Sequence, residues 1–272
     1  VSLRIVVAQN VTQNVNYTTL SGALDAAVSG ETVKLLATIP FGSNALNVGT
    51  GVTLDFNGKT LTVADPSNVP TITNSGTIVV YQENVGLIPY LLWNVGGSYK
   101  VGSSSVSCDG YTAYKDVELT ASKNGGIQKL VFNGKVEIKN LKQNTVIEGT
   151  DIELEGKVPA GSSVTCSSLT LIGDVTVGEE NKPAYIKADG MNLNGHKLIL
   201  ASEAQNGGYI ETKTDLTIGT GVASTETYIR VVKLAGADGW SIYQTHIHNF
   251  TYSKEGAVIT GTCYKEYCPL VN

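Results

Sequence analysis

Four side chains near the C-terminal end are of the types that hold transition metals: His246, His248, Cys263 and Cys268. If "NFTYS" and "AVITGTC" pair across a two-residue turn at Glu255-Gly256, His248 faces Cys263, and His246 lies two residues along on the same face. Cys268 returns after "YKEY". Imidazole and thiolate ligands suit tetrahedral Zn²⁺, and four protein ligands leave no position open to water, so one such zinc would be structural. The same two cysteines can instead close a small-loop Cys263–Cys268 disulfide in an oxidising compartment, and spacing does not separate the two. Cys108 and Cys166 stand in unrelated contexts and read as small buried packing residues.

A second group is acidic. "DIELEG" places Asp151, Glu153 and Glu155 at i, i+2 and i+4, on one face of a strand, where they could meet a cation or a sugar. The plainer reading is the solvated face of a half-buried strand. Elsewhere the carboxylates are scattered, as at Asp55, Asp174, Asp189 and Asp215. Acid/base cleavage of a glycan needs paired carboxylates, and a lyase also needs a positioned base. Arg230 is the only arginine late in the chain, and nothing around it marks a site.

The third group is aromatic. Tyr81, Tyr90, Trp93, Tyr99, Tyr111 and Tyr114 crowd into residues 81–114, among Gly and Ser. Such rings with small polar neighbours suit sugar rings or a protein partner. Equally, they could pack the segment down onto the rest of the fold.

Composition narrows the classes. The 272 residues carry 24 acidic and 19 basic side chains, with a net charge of −5 and no basic stripe, which argues against a nucleic-acid partner. The longest apolar stretch, "VGLIPYLLW", is too short to span a bilayer and contains Pro89, so no membrane insertion is expected within this segment. The chain begins at Val1 without the regions of a signal peptide, and reads as a mature or excised segment of a longer protein.

The elements that must position these groups are almost all short strands. One helix is expected: Leu20, Ala23, Leu24, Ala27 and Val28 form a stripe, Thr18 or Thr19 can cap its start, and Gly30 sits where a helix-ending residue belongs. After it, β-branched runs of three to eight residues follow one another, separated by Gly, Asn, Asp or Ser. Three of them share a pattern: "LDFNGKTLTV", "LVFNGKVEIK" and "MNLNGHKLIL" each place Asn-Gly after an apolar residue and before a base. One Asn-Gly reads as a hairpin. Three in matching context read as corners of a coil with rungs of twenty-odd residues, and an N-terminal helix would cover the open end of such a coil.

"YTTLSGALDAAVSGETVKLL" followed by "GVTLDFNGKTLTV" resembles the opening of pectate-lyase-like right-handed parallel β-helix proteins, in which a short helix precedes a strand and an apolar run ending in Asp/Asn-x-Asn-Gly. A narrower resemblance is to extracellular repeat proteins of Gram-positive bacteria, where "HNFTYSKEGAVITGTCYKEYC" looks like a recurring tail module. The expectation is an all-β solenoid over residues 1–235 with an N-terminal capping helix and an aromatic excursion near 81–114, then a small hairpin module over 236–272. The function expected with it is that of a non-enzymatic cell-surface module, adhesin-like or a stalk, meeting glycans or host proteins. The alternative is a lyase or hydrolase acting on an acidic polysaccharide.

Overall fold

In the computed structural model, residues 5–42, 45–65, 69, 71–202, 207–213, 229–232, 241–244, 250–255 and 258–263 are described. Strands make up 53% of the protein and helix 9%, and the strands coil as a parallel β-solenoid of about eight turns. The chain divides into two compact units, Val1–Glu137 and Ile138–Asn272.

In the first unit, Thr32–Leu35, Thr53–Asp55, Thr77–Val80 and Gly97–Val101 stack in parallel, with Thr32 opposite Thr53, Thr53 opposite Thr77 and Thr77 opposite Ser98. This register aligns every second side chain into an inward column, Val33, Leu54, Ile78 and Tyr99, all of them buried. Alternation of period two is what allows one apolar residue per rung to land on the residue of the rung below. The parallel run then ends. Gly97–Val101 pairs antiparallel with Glu118–Asn124, which pairs antiparallel with Ile127–Ile138, and the column continues through Leu119 and Phe132.

The second unit stacks Thr145–Val158, Ser163–Val177, Tyr185–Asn192 and Tyr209–Thr212 in parallel around the column Ile147, Val164, Ile186 and Ile210, each fully buried. Burying one such side chain contributes roughly 1.5–3 kcal/mol, so the columns dominate the stability of each unit. The rung interval runs from 17 residues, Val146 to Ser163, in this unit to 26, Leu46 to Ile72, in the first, close to the expected twenty-odd. Beyond Thr212 the pairing turns antiparallel, through Ile229–Val232 to Ser241–Gln244.

The capping helix is present but shorter than its apolar stripe suggested. It spans Leu20–Ala26, with the Thr19 hydroxyl accepting from the Gly22 N–H at 3.2 Å. Leu20, Ala23 and Leu24 are buried, whereas Val28 is exposed. The chain turns extended at Ala27 because Glu31 pulls it inward: its carboxylate accepts from the Val28 N–H and the Asn10 amide. These bonds hold the Glu31 carboxyl below its ordinary pKa.

Two of the three Asn-Gly runs are corners, and they are built alike. Asn57 and Gly58 have φ of 50° and 66°, and Asn194 and Gly195 have φ of 49° and 80°. In each, the residue after Gly donates to the carbonyl before Asn at 2.8 Å, Lys59 to Phe56 and His196 to Leu193. The Asn amide then reaches the preceding rung, Asn57 to the Leu35 carbonyl at 3.1 Å and Asn194 to the Leu171 carbonyl at 3.2 Å. An Asx acceptor two residues earlier completes the turn, Asp55 for the Asn57 N–H and Asn192 for the Asn194 N–H.

The third run departs from the expectation. Asn133 and Gly134 lie inside the strand Ile127–Ile138, with Asn133 opposite Glu118. Here Val131 occupies the position of Asp55 and Asn192 and has no acceptor to offer the Asn N–H, and Asn133 stays in the strand, with Gly134 at φ 129°. Asn57→Ala and Asn194→Ala should therefore each cost about 2 kcal/mol, roughly half from the left-handed backbone and half from the lost rung-to-rung bond. Asn57→Gly should cost only the second half, and Asn133→Ala should stay within about 0.5 kcal/mol, all read from denaturant unfolding.

Candidate functional site

The aromatic segment is not a loop or a single hairpin, as its sequence suggested, and it adds helix beyond the capping one. A 3₁₀ turn, Gln82–Asn84, leads into a short helix at Ile88–Tyr90 and a wider turn, Leu91–Val95, closed by the Gly96 N–H bonding to the Leu91 carbonyl. The chain then re-enters the coil at Gly97–Val101, and only Ser105–Cys108 with Tyr111–Tyr114 makes a hairpin. Asn84, fully buried, fastens the insertion to the coil. Its amide oxygen accepts from the Tyr81 N–H at 2.8 Å, and its NH₂ donates to the Lys59 carbonyl at 2.7 Å, beside the Asn57-Gly58 corner.

This arrangement divides the six aromatics. Tyr99 belongs to the inward column; its hydroxyl donates to the Leu91 and Gly96 carbonyls, and burial raises its pKa. Tyr111 is buried against Phe132, with ring centroids 6.4 Å apart. Tyr81 donates to Asp55 at 2.9 Å, and burial together with that carboxylate pushes its pKa up to about 12. Tyr114 donates to Glu137 at 3.1 Å, with the Lys135 ammonium 5.5 Å from its ring centre. Tyr99 and Tyr111 are thus in the core, while Tyr81 and Tyr114 are half-buried and hydrogen-bonded to carboxylates.

Tyr90 and Trp93 differ. They border a groove of about 580 Å³ whose other side is the preceding rung, at Thr60, Leu61 and Val63. Trp93 is held in place by its Nε1–H, which donates to Asp109 at 3.2 Å, and by a tilted contact with Tyr111. Leu61 is buried, while Glu83 and Asn94 stand exposed on the groove's border. The sequence marked the two rings but not Glu83, Asn94 or the opposite wall. Residues 60–63 lie more than twenty positions before Trp93 and meet it only because the coil stacks.

The acidic row takes the plainer course. Asp151, Glu153 and Glu155 are half-buried and alternate with Ile152 and Leu154, which are fully buried. Their neighbours on the next rung are Ser168, opposite Asp151, and Thr170, opposite Glu153. Arg230 lies in the strand Ile229–Val232, four strands along the same sheet, which is about 19 Å at ordinary strand spacing. Of the scattered aspartates, Asp174 accepts from the Lys197 N–H at 2.9 Å and Asp189 pairs with Lys213 at 3.2 Å, while Asp215 lies outside the described residues. Among the described residues, no three His, Cys, Asp or Glu side chains are placed to hold a metal ion.

At the tail, Phe250–Glu255 pairs antiparallel with Val258–Cys263 as a hairpin, in a register different from the one anticipated. Glu255 stands opposite Val258, and Cys263 stands opposite Phe250 rather than His248. This register sets Thr251 opposite Thr262 and Ser253 opposite Thr260. His246, His248 and Cys268 lie outside the described residues. Cys166 is buried; burial, with Asp189 and Asp151 nearby, pushes its thiol up to about 12, which leaves it protonated and inert near neutral pH. Cys108 is half-buried, with its thiol 3.5 Å from the Val85 carbonyl. No described helix is long and apolar enough to cross a membrane.

The fold defines the class, a parallel β-solenoid. Comparison with protein-family models, curated proteins and solved structures gave no match.

Proposed function

We propose that this chain is a non-enzymatic module of an extracellular cell-surface protein, adhesin-like or a stalk, of the kind found among β-helix repeat proteins of Gram-positive bacteria. Its partners would be glycans or host proteins. The reading is carried by the fate of the carboxylates: Asp55, Asp174 and Asp189 are tied into corners and ion pairs, and the Asp151 row stands four strands from Arg230. Acid/base cleavage of a glycan needs two carboxyl groups converging on one bond. Among the described residues no such convergence is seen, and a solenoid offers rigid reach and a repeating face, which suits presentation. At the tail we keep both devices open, one structural Zn²⁺ or a Cys263–Cys268 disulfide.

Two assays on the purified chain test this reading. Incubated with acidic polysaccharides, it should release no new reducing ends and no unsaturated products. Turnover that Glu153→Gln abolishes would establish the lyase or hydrolase alternative instead. In denaturant without reductant, two of the 4 cysteines should titrate if Cys263 and Cys268 are bridged, which fits an oxidising, extracellular setting. Four thiols together with one zinc per chain would make the tail a metal knot and remove that support. Four thiols without metal would count against both devices.

A further inference from the structure

We propose that the groove between residues 60–63 and the helical insertion is a binding site for a neutral oligosaccharide, with Trp93 and Tyr90 as the stacking platform and Glu83 and Asn94 as the hydroxyl-binding groups. The inference deepens the surface-module reading and rests on it for the kind of ligand presented. It stands on three features of the groove.

The first is volume: about 580 Å³ lies within the range of small-ligand sites. The second is that the platform is set in advance. The Trp93 N–H is already committed to Asp109, and the ring leans on buried Tyr111 with centroids 6.4 Å apart at 58°. Trp93 lines the groove with its N–H already taken up, and a ring already fixed loses little freedom on binding. The C–H face of a pyranose is an apolar surface that packs on such a ring, while its hydroxyls point outward to polar partners.

The third feature is the polar border. A carboxylate at Glu83 accepts from sugar hydroxyls, and the Asn94 amide both donates and accepts. Asn84 holds the backbone of Glu83 by its bonds to Tyr81 and Lys59, so this carboxylate rides on the coil and not on a free loop. Charge then selects among glycans. None of the described residues lining the groove is Lys or Arg, and Glu83 is acidic, so a uronate, sulfate or phosphate would meet like charge with no cation to offset it. The preference is for uncharged sugars, the opposite of the acidic glycan that the enzymatic alternative requires.

The test titrates the full chain with neutral oligosaccharides (gluco-, manno-, xylo- and N-acetylglucosamine oligomers) and with oligogalacturonate and hyaluronan, following tryptophan fluorescence and heat. At least one neutral oligomer should bind and shift the fluorescence. Trp93→Ala should weaken that binding about tenfold, and Glu83→Gln by several-fold. Trp93→Phe, which keeps a ring, should retain most of the affinity. Because Glu83 is exposed, Glu83→Gln should leave the unfolding midpoint unchanged, so its effect cannot be ascribed to misfolding.

No binding of any neutral oligomer at tens of millimolar, or tighter binding of the acidic oligomers, would overturn the assignment. Neutral binding that survives both Trp93→Ala and Glu83→Gln would overturn it too, while leaving the surface-module reading standing. Cleavage of the bound oligomer would instead defeat the surface-module reading.

Discussion

Gly76→Ala should be among the most damaging single changes in the first unit, costing about 3 kcal/mol or more, where Gly86→Ala costs less than about 0.5 kcal/mol. A Cβ on Gly76 would lie 2.1 Å from the Val52 carbonyl oxygen and 2.6 Å from that of Gly49. Neither is the tip of a flexible side chain. The Val52 carbonyl accepts from the Thr77 N–H, and the Gly49 carbonyl accepts from the Val52 N–H, both at 3.0 Å. Relieving the clash means moving backbone whose hydrogen bonds join the rung at Thr53–Asp55 to the one at Thr77–Val80. A Cβ on Gly86 meets nothing within 4 Å. Urea unfolding of the two variants side by side checks the contrast. Equal midpoints would mean that this corner is looser than its contacts imply.

Leu54→Ala is the second large effect, with an expected loss of 2–5 kcal/mol, the range for emptying a well-packed aliphatic site. Leu54 is 1% exposed and sits in the column between Val33 and Ile78, which are themselves fully buried. A rung cannot collapse into the space left behind, because its backbone is pinned on both sides by parallel hydrogen bonds to its neighbours. The cost should therefore fall in the upper half of that range. Asp55 and Thr53 alternate outward beside it, and Thr53→Ala should move the same unfolding midpoint by far less. A Leu54→Ala loss below about 1 kcal/mol would show that the column is not what holds the rungs together.

The groove proposal depends on the same stacking. Its rings and its acid come from residues 83–94, whereas its opposite wall comes from the rung before, at 60–63. Weakening the rung contact should therefore weaken sugar binding even when no lining residue is changed.

Much of the fold was legible because its signals are local. The stripe Leu20, Ala23, Leu24 and the Thr19 cap announced the capping helix, and short β-branched runs between turn residues announced the strands. The Asn-Gly corners were legible for a similar reason, since positive φ at both residues suits few other pairs. The misreading of Asn133-Gly134 had a signal within reach. Asp55 and Asn192 each supply an acceptor two residues before the turn, and Val131 cannot. The early end of the capping helix had none, because Glu31 draws the chain in through Asn10, twenty-one residues away.

The fate of the aromatics was not legible either. A Tyr or Trp buries its ring or offers it with the same composition around it, and only the neighbouring rung decides which. Tyr99 fell into the inward column by its register with Ile78, whereas Trp93 lines the groove and donates to Asp109. The tail shows the same limit at short range: its two strands were readable, but a two-residue change of register moved Cys263 from His248 to Phe250. By itself, then, the sequence determined that the chain is built of short strands behind one helix, where two of the corners fall and roughly how long a rung is. These follow from backbone geometry and from side chains only a few residues apart. The tertiary structure decided which rungs meet, which carboxylates are consumed by corners, and that Trp93 and Glu83 face residues 60–63 across a groove. Those contacts join positions 17 or more residues apart, and only the summed burial of stacked columns brings them together.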